Sequence, residues 1–375
     1  MPSYRPDRIV SIDFWRGVAL ATIFVDHVPG NVFEHYTQRN FGFSDAAEVF
    51  VLLAGVAASL AYAKHFQRGG IAHQTLKIGL RAFTLYMAHI VVLVFCGAMV
   101  AYTSLATQDP RILETMQFDL IAKDPVSSIV GIATLAFQPS SQNILPLYVV
   151  LLAMAPILIL LMRRAAWLAL MLSAALYLST ELLYLRLPSY PLPDAWFFNP
   201  LAWQLLFTLG LVSGWASLNR ERLPANRALT IAAGLYLALS LLVVHGGYVG
   251  SYDLSPLPRF LWEQDKTNLS LPRLLHIAAL AYLVTRLPLE AWLRDSAFSR
   301  PLILLGRHSL PIFSLGIILS LAAQMSRIIY QGGIVFDMLL ICFGLALQIG
   351  LAWVLEWQKT GFPRPSLPAE AVRAP

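Results

Sequence analysis

The stretch Asp13–His27, DFWRGVALATIFVDH, has the length of an apolar helix but contains four ionisable side chains. Arg16 and His27 are eleven residues apart, which at about 3.6 residues per turn is close to three whole turns. They therefore share one helical face and lie roughly 16 Å apart along the axis. Asp13 precedes Arg16 by one turn and is expected to pair with it. Asp26 points about 100° away from His27, and its spacing assigns it no role.

The composition is typical of an integral membrane protein. Of 375 residues, 57% are hydrophobic and only 13% are charged, whereas about a quarter of the residues in soluble domains are charged. Cys96 and Cys342 both lie in apolar runs, which argues against a disulfide framework or a thiolate zinc site. The net charge of +6 is explained by loop arginines that orient a membrane protein, so the expected partners include membrane lipid but no nucleic acid.

Ten stretches are apolar and long enough to cross a bilayer, which takes about 20 residues each. They predict an all-α integral membrane protein with about ten transmembrane helices in one bundle. The predicted spans lie near residues 9–32, 46–63, 80–104, 143–162, 165–184, 196–216, 226–245, 272–290, 302–323 and 333–356.

Basic residues are concentrated in alternate loops, and the positive-inside rule places these loops and both termini in the cytoplasm. The expected organisation is a basic cytoplasmic tail, residues 1–8, a membrane-embedded domain, residues 9–357, and a Pro-rich cytoplasmic tail, residues 358–375. In this orientation Arg16 lies toward the cytoplasm and His27 lies in the outer half of the membrane. The longer loops lie outside, which favours a polar substrate handled there, although loops specific to the family without a role in binding would look the same.

The ionisable groups of the first helix are candidates for function. A charged side chain within a span costs about 2.5–3.5 kcal/mol on insertion scales and usually faces the bundle interior or a wet cavity. We therefore take His27 and Arg16 as candidate catalytic residues, with Asp13 as the partner of Arg16. The alternative is a structural Asp13–Arg16 pair with a histidine at the membrane interface.

Two further motifs bring polar residues to the outer ends of predicted helices. They are RNFGFSDAAEVFVLLAG, residues 39–55, and KTNLSLPRLLH, residues 266–276. Their polar side chains are candidates for substrate binding, but helix capping, loop folding and interface anchoring would use the same residue types. The candidates are Ser44, Asp45 and Glu48 in the first motif, and Lys266, Asn268, Arg273 and His276 in the second.

A fourth motif, GRHSLP, residues 306–311, lies at the cytoplasmic mouth of the predicted ninth helix. Arg307, His308 and Ser309 could accept the phosphates of an acyl-coenzyme A, although a topogenic arginine is the simpler alternative. Pro311 is expected to bend this helix.

Taken in order, DFWRGVALATIFVDHVPGN, RNFGFSDAAEVFVLLAG, KTNLSLPRLLH and LLGRHSLPIFSLGIILS resemble the OpgC family, the membrane succinyltransferases of osmoregulated periplasmic glucans. The resemblance covers essentially the whole chain. It implies a multi-pass protein of the bacterial inner membrane that transfers an acyl group from cytoplasmic succinyl-CoA, or another acyl-CoA, to hydroxyls of a periplasmic glucan. In the wider acyltransferase-3-like group the first-helix arginine and histidine are the functional pair, and they match Arg16 and His27.

Acyl transfer to a hydroxyl requires a base, and histidine suits this role because its unperturbed pKa is about 6.5. We expect His27 to act as that base or to carry the acyl group transiently, while Arg16 holds the donor. No permanently bound cofactor and no metal are expected, and the sequence does not indicate an oligomeric state. Two alternatives remain: a transporter or flippase of an anionic glycan or lipid precursor, and an O-acetyltransferase of another envelope polysaccharide.

Overall fold

The computed structural model describes residues 9–68, 70–139, 142–191, 195–219, 221, 226–330 and 332–361. The predicted basic tail, residues 1–8, and residues 362–375 of the predicted Pro-rich tail lie outside the described residues. The regular secondary structure of the described part is helical, and the extended backbone there forms no strand beyond one isolated bridge between Pro188 and Ala195.

Sixteen α-helices are found in the described ranges. The first eight are α1 (Val10–Asp26), α2 (Ala46–Ala58), α3 (His65–Arg68), α4 (Ile71–Thr107), α5 (Arg111–Thr115), α6 (Leu120–Lys123), α7 (Pro125–Ala133) and α8 (Ile144–Arg164). The second eight are α9 (Ala166–Leu183), α10 (Pro200–Leu218), α11 (Arg227–His245), α12 (Leu271–Val284), α13 (Leu289–Asp295), α14 (Ser299–Arg307), α15 (Ser309–Tyr330) and α16 (Ile334–Thr360).

Eight helices of the described part are long and apolar enough to cross a membrane. They are α2 with its π-helical extension to Ala63, α4, α8, α9, α10, α11, α15 and α16. The helices α12 and α13, bent by 73° at the break between them, form a ninth candidate if they are taken as one span. Helix α1 has 17 residues, which corresponds to about 26 Å. The all-helical, multi-pass character is thus confirmed, while the count of ten spans and the side of both termini stay predictions.

Helix α1 runs through the bundle between α2, α14 and α15. Its contact with α14 depends on two glycines, because a Cβ atom on Gly17 would lie 1.8 Å from the Leu302 carbonyl oxygen, and one on Gly306 would lie 1.8 Å from that of Asp13. Small residues of this kind let membrane helices approach each other closely. Helices α2 and α10 also approach each other closely at glycines, since Gly55 and Gly210 pack backbone to backbone.

The start of α1 is held by α13. The Glu290 carboxylate accepts hydrogen bonds from the backbone N–H groups of Val10 at 3.0 Å and Ser11 at 3.1 Å. Helix α1 has no side-chain cap of its own, so Glu290 satisfies N–H groups that would otherwise have no partner, at the end where the helix dipole favours negative charge.

The main apolar core is formed by the inward faces of α1, α2, α8 and α10. Smaller apolar clusters join α4 to α5 and α15, and α1 to α15 and α16. Several helices also expose large apolar side chains outward, among them Phe83 on α4, Leu235 on α11 and Phe343 on α16. Exposed apolar side chains on long apolar helices fit the hydrocarbon of a bilayer.

The sequence predicts a bend at Pro311, but the structure interrupts the helix three residues earlier, at His308. The interruption between α14 and α15 lies at His308, whose backbone, at φ −110° and ψ 36°, leaves the α-helical region. Pro311 falls in the first turn of α15, where its missing N–H is not needed for an intrahelical hydrogen bond.

Candidate functional site

Two cavities are lined by the ionisable residues that the sequence singles out in α1, one by His27 and one by Arg16. The His27 cavity, about 590 Å³, lies at the end of α1. Its lining consists of Ile23, Asp26, His27, Arg39, Asp45, Ala46, Ala47, Gln117, Gln138, Asn143, Ile144, Arg186, Ser189, Ala195, Trp196, Phe197, Phe198, Lys266 and Thr267. The mixture of charged, amide and aromatic side chains fits a polar ligand.

His27 occupies the position that ends α1, and its ring orientation is fixed by its own helix. Its Nδ1 lies 2.6 Å from the carbonyl oxygen of Ile23. Because a carbonyl oxygen only accepts, Nδ1 carries the proton, and in the neutral ring Nε2 has the free lone pair. Within the described residues Nε2 has no hydrogen-bond partner. The carbonyl of His27 accepts a hydrogen bond from Gln324 on α15 at 2.6 Å, which fixes the backbone as well.

Asp26, to which the spacing assigned no role, lines the same cavity. Its carboxylate accepts a 2.6 Å hydrogen bond from the Thr37 hydroxyl and lies 3.6 Å from Arg39, which also pairs with Glu34. Asp26 thus ties the loop after α1 to the cavity wall. Its charge inside a predicted span was the signal that could have identified it.

The Arg16 cavity, about 170 Å³, lies further back along α1. Arg16 lines it together with Arg81, Tyr62 and Ser309. The predicted pair of Asp13 and Arg16 is present, with 3.9 Å between the carboxylate and the guanidinium. His27 and Arg16 therefore face separate cavities at different depths along one helix.

Three aromatic rings in mutual contact lie at the side of the Arg16 cavity nearest the His27 cavity; Phe50 stacks on Phe313 and meets Tyr148 edge to face. The ring of Phe50 lies 6.2 Å from that of Tyr148 and 5.9 Å from that of Phe313. Phe50 and Tyr148 each follow a residue of the His27 cavity, Ala46 and Ile144, by four positions. Along α2 the two linings are thus separated by about one helical turn, roughly 5.4 Å, whereas on α8 they meet at adjacent residues, Ile144 in the His27 cavity and Leu145 in the Arg16 cavity.

The acidic start of α2 forms an ion-pair cluster with the segment before α12. Lys266 lies 2.5 Å from Asp45, and Arg273 contacts both Asp45, at 3.2 Å, and Glu48, at 2.6 Å. Asp45 and Glu48 also form a capping box, because Asp45 accepts from Ala47 and the Asp45 N–H donates to Glu48. The predicted substrate residues are therefore brought together, but Glu48 is fully buried behind the cavity and only Asp45 and Lys266 line it.

The charge state of Asp45 follows from these contacts. Burial alone would raise the pKa of its carboxyl, but the charges of Lys266 and Arg273 more than offset this effect and hold the pKa well below its usual range. The Asp45 carboxyl is consequently ionised at neutral pH, and its contact with Lys266 forms part of the cavity wall.

The remaining predicted substrate residues have buried partners. Ser44 Oγ lies 2.7 Å from His276 Nδ1, at hydrogen-bonding distance. Asn268 accepts a hydrogen bond from Asn199 at 3.0 Å, and its own N–H donates to Asp265 at 3.1 Å. Neither Ser44, His276 nor Asn268 lines the His27 cavity.

The predicted acyl-CoA residues divide into two groups. Arg307 donates to Glu356 at 2.7 Å, and the His308 ring lies 2.9 Å from the same carboxylate. Arg307 is also 3.9 Å from Asp13. Ser309 instead lines the Arg16 cavity. Glu356, which is separated from this motif by almost fifty residues, was missed because no spacing rule links it to Arg307.

A family model described as OpgC protein matches residues 8–360. The chain belongs to the OpgC family. No curated protein matches it. OpgC membership indicates a membrane acyltransferase, which fits the apolar spans and the buried ionisable residues. Among the described residues no three His, Cys, Asp or Glu side chains are placed to hold a metal ion.

Proposed function

We propose that this OpgC family member transfers a succinyl or similar acyl group from acyl-CoA to a hydroxyl of a periplasmic glucan, at the bacterial inner membrane, with His27 as the general base. The observation that carries the proposal is the state of the His27 ring. Its Nδ1–H is bound to the Ile23 carbonyl, and its unprotonated Nε2 remains available at a polar cavity.

The vectorial arrangement is supported by the second cavity. Arg16 and His27 line separate cavities on the same helix, and the charge bias of the loops assigns the Arg16 end to the cytoplasm. A donor entering from the cytoplasm would meet Arg16 first, where a guanidinium can hold a phosphate or carboxylate. The acceptor would reach His27 from the opposite side.

In the direct route the acyl group passes from the thioester to the acceptor hydroxyl with His27 as the base. The acceptor hydroxyl oxygen attacks the acyl carbonyl carbon while His27 Nε2 takes the hydroxyl proton. The carbon–sulfur bond breaks, and the departing thiolate receives that proton from Nε2, which gives the ester and free coenzyme A. Negative charge develops on the carbonyl oxygen, and Arg39 and Lys266 supply positive charge in the His27 cavity.

A covalent route uses the same residue. His27 Nε2 attacks the thioester carbonyl carbon, the carbon–sulfur bond breaks and coenzyme A leaves as the thiolate. The acceptor hydroxyl oxygen then attacks the acyl carbon, the carbon–nitrogen bond to Nε2 breaks, and the hydroxyl proton neutralises the thiolate, which gives the ester, free coenzyme A and the original histidine. Rapid-quench experiments with radioactive acyl-CoA and limiting acceptor distinguish the two routes. Protein-bound label supports the acyl-histidine, and its absence supports direct transfer.

The proposed reaction is tested with the full-length protein purified in detergent or nanodiscs, incubated with glucan and either succinyl-CoA or acetyl-CoA. Mass spectrometry of the glucan then reports the acyl group. A succinyl mass shift supports the proposal in full, and an acetyl shift alone corrects the donor. Movement of glucan across a proteoliposome membrane with no change in mass would overturn the proposal in favour of a transporter.

A matched pair of variants accompanies this assay. Arg16→Lys retains the positive charge but removes the planar fork, so we expect donor KM to rise by about tenfold or more if the guanidinium binds the donor in a bidentate manner. Lys77→Arg, an exposed basic residue on α4, is the control and should leave donor KM unchanged. Equal donor KM in both variants would contradict a bidentate role for Arg16.

A further inference from the structure

A third cavity lies beside the His27 cavity and is larger than it. This loop groove, about 1110 Å³, is formed by the end of α9 and by the segment from Val249 to Ser270. It shares two lining residues with the His27 cavity, Arg186 and Thr267. A ligand that fills the His27 cavity can therefore extend directly into the loop groove.

One wall of the loop groove is a rigid structure built by buried hydrogen bonds. The Trp203 indole donates to the carbonyls of Lys266 and Thr267, both at 3.1 Å, and the Tyr177 hydroxyl donates to the carbonyl of Leu269 at 3.1 Å. The Asp265 carboxylate accepts from the N–H of Thr267 at 3.0 Å. The wall is thus fixed to α9 and α10 before any ligand binds, which lowers the entropic cost of binding.

Two polar atoms of the loop groove have no partner within the described residues. The Ser270 side chain is fully buried, and its hydroxyl makes no hydrogen bond. One carboxylate oxygen of Glu181, Oε1, is likewise buried and unpaired. Buried polar groups are normally satisfied, and both residues line the loop groove. A ligand whose hydroxyl groups both donate and accept would satisfy them.

The aromatic lining also fits a sugar. The rings of Tyr252 and Trp262 lie 6.1 Å apart and both line the loop groove. The Trp262 indole donates to the Leu257 carbonyl at 3.1 Å, which fixes the ring. Large rigid rings with polar edges bind with little loss of conformational entropy.

The charges of the two cavities are opposite. Outside the α-helices the loop groove is lined by three carboxylates, Asp253, Glu263 and Asp265, against two guanidinium groups, Arg186 and Arg259. In the His27 cavity three cations face two carboxylates. An anionic donor or an anionic acyl group is therefore disfavoured in the loop groove, whereas an uncharged polyhydroxylated chain is not.

We propose that the loop groove binds the uncharged sugar units that flank the acylated unit of the acceptor, and that its excess negative charge rejects units already carrying an anionic acyl group. The inference rests on the proposed acyltransferase function. Its consequence is that acylation limits itself, because each new carboxylate weakens rebinding of the same stretch of glucan.

The first test separates long from short acceptors. Trp262→Ala and Trp262→Phe are assayed with succinyl-CoA and with either a glucan of about ten units or a disaccharide that is too short to fill both cavities. We expect Trp262→Ala to raise KM for the long glucan by about tenfold with kcat unchanged, Trp262→Phe to raise it less, and neither to change KM for the disaccharide. The disaccharide rate also reports that each variant is folded.

The control is Trp292→Ala, which removes an exposed tryptophan of α13 that does not line the loop groove. Equal KM values for the long glucan in Trp262→Ala and Trp292→Ala would overturn the inference while leaving the proposed function intact. Failure of the native protein to acylate either acceptor would instead overturn the proposed function and this inference with it.

The second test addresses charge. Glu263→Gln is isosteric, and no hydrogen bond or ion pair of the Glu263 side chain is present within the described residues. After exhaustive treatment with Glu263→Gln, we expect mass spectra of the glucan to show more succinyl groups per chain than the native protein adds. We also expect the variant to add the second succinyl group about threefold faster than the native protein at low salt. An unchanged distribution of succinyl groups in Glu263→Gln and in Asp253→Asn would refute the charge selection.

Discussion

Removal of the Glu48 carboxylate should destabilise the protein more than it impairs catalysis. Glu48 is fully buried and accepts from Arg273 at 2.7 Å and from the Asp45 N–H at 2.9 Å. Breaking a buried ion pair by removing one partner costs about 3–5 kcal/mol, and loss of half a capping box adds about 1 kcal/mol. Glu48→Ala should therefore cost about 4–6 kcal/mol.

The expected thermal shift follows from this energy. In a domain of 150–250 residues 1 kcal/mol lowers Tm by about 2–4 °C, and this chain of 375 residues is expected to show the lower figure. Glu48→Ala should then lower Tm by about 8–12 °C, measured by thermal denaturation of the purified protein at one scan rate. Glu48→Gln keeps one acceptor for Arg273 and should lower Tm by about half as much.

A double-mutant cycle separates the pair from the individual side chains. Glu48→Ala combined with Arg273→Ala should cost less than the sum of the single changes, by about 2 kcal/mol, because the second substitution removes a buried guanidinium that the first has deprived of one of its two carboxylate partners. Activity per folded molecule should persist at low temperature. If Glu48→Ala lost acyl transfer while its Tm stayed within 2 °C of the native value, Glu48 would contact substrate and the structural role would be refuted.

Three further perturbations have distinct signatures. Gly306→Ala should lower Tm by several degrees because its Cβ would lie 1.8 Å from the Asp13 carbonyl oxygen, whereas Gly79→Ala, with open space around its Cβ, should not. Glu290→Ala should cost about 1 kcal/mol through loss of the α1 cap, which the same melting assay would register. Since the pKa of Asp45 is lowered in the folded state, its ion pairs stabilise the protein above the unfolded pKa of about 3.9. The Tm difference between native protein and Asp45→Asn should thus be largest near pH 6 and become smaller below pH 4. A Tm difference that became larger as the pH was lowered would contradict this.

Local spacing predicted much of the fold and part of the site. Apolar runs predicted most of the eight long apolar helices, because backbone hydrogen bonding in a bilayer requires long helices. The predicted span 302–323 instead begins in α14, and the span 272–290 is bent between α12 and α13. The i,i+3 rule predicted the contact of Asp13 with Arg16. Helical periodicity also indicated that Arg16 and His27 lie at different depths, and they line separate cavities.

Long-range pairings could not be predicted in this way. Arg273 meets Glu48 across 225 positions of sequence, and Arg307 meets Glu356 across 49. Each partner is chosen by the way the helices pack, which single-sequence spacing does not encode. The end of α1 also depends on tertiary contacts, since Gln324 binds the carbonyl of His27.

The contribution of His27 to acyl transfer tests the central claim most directly. His27→Asn keeps a side-chain N–H that can donate to the Ile23 carbonyl but removes the base, and His73→Asn, at an exposed position on α4, is the matched control. With the native acceptor and donor at saturation, we expect His27→Asn to lower kcat by about 10²–10⁴-fold, the usual contribution of a general base, with Tm unchanged. A kcat within twofold of the His73→Asn value would show that His27 is not the base.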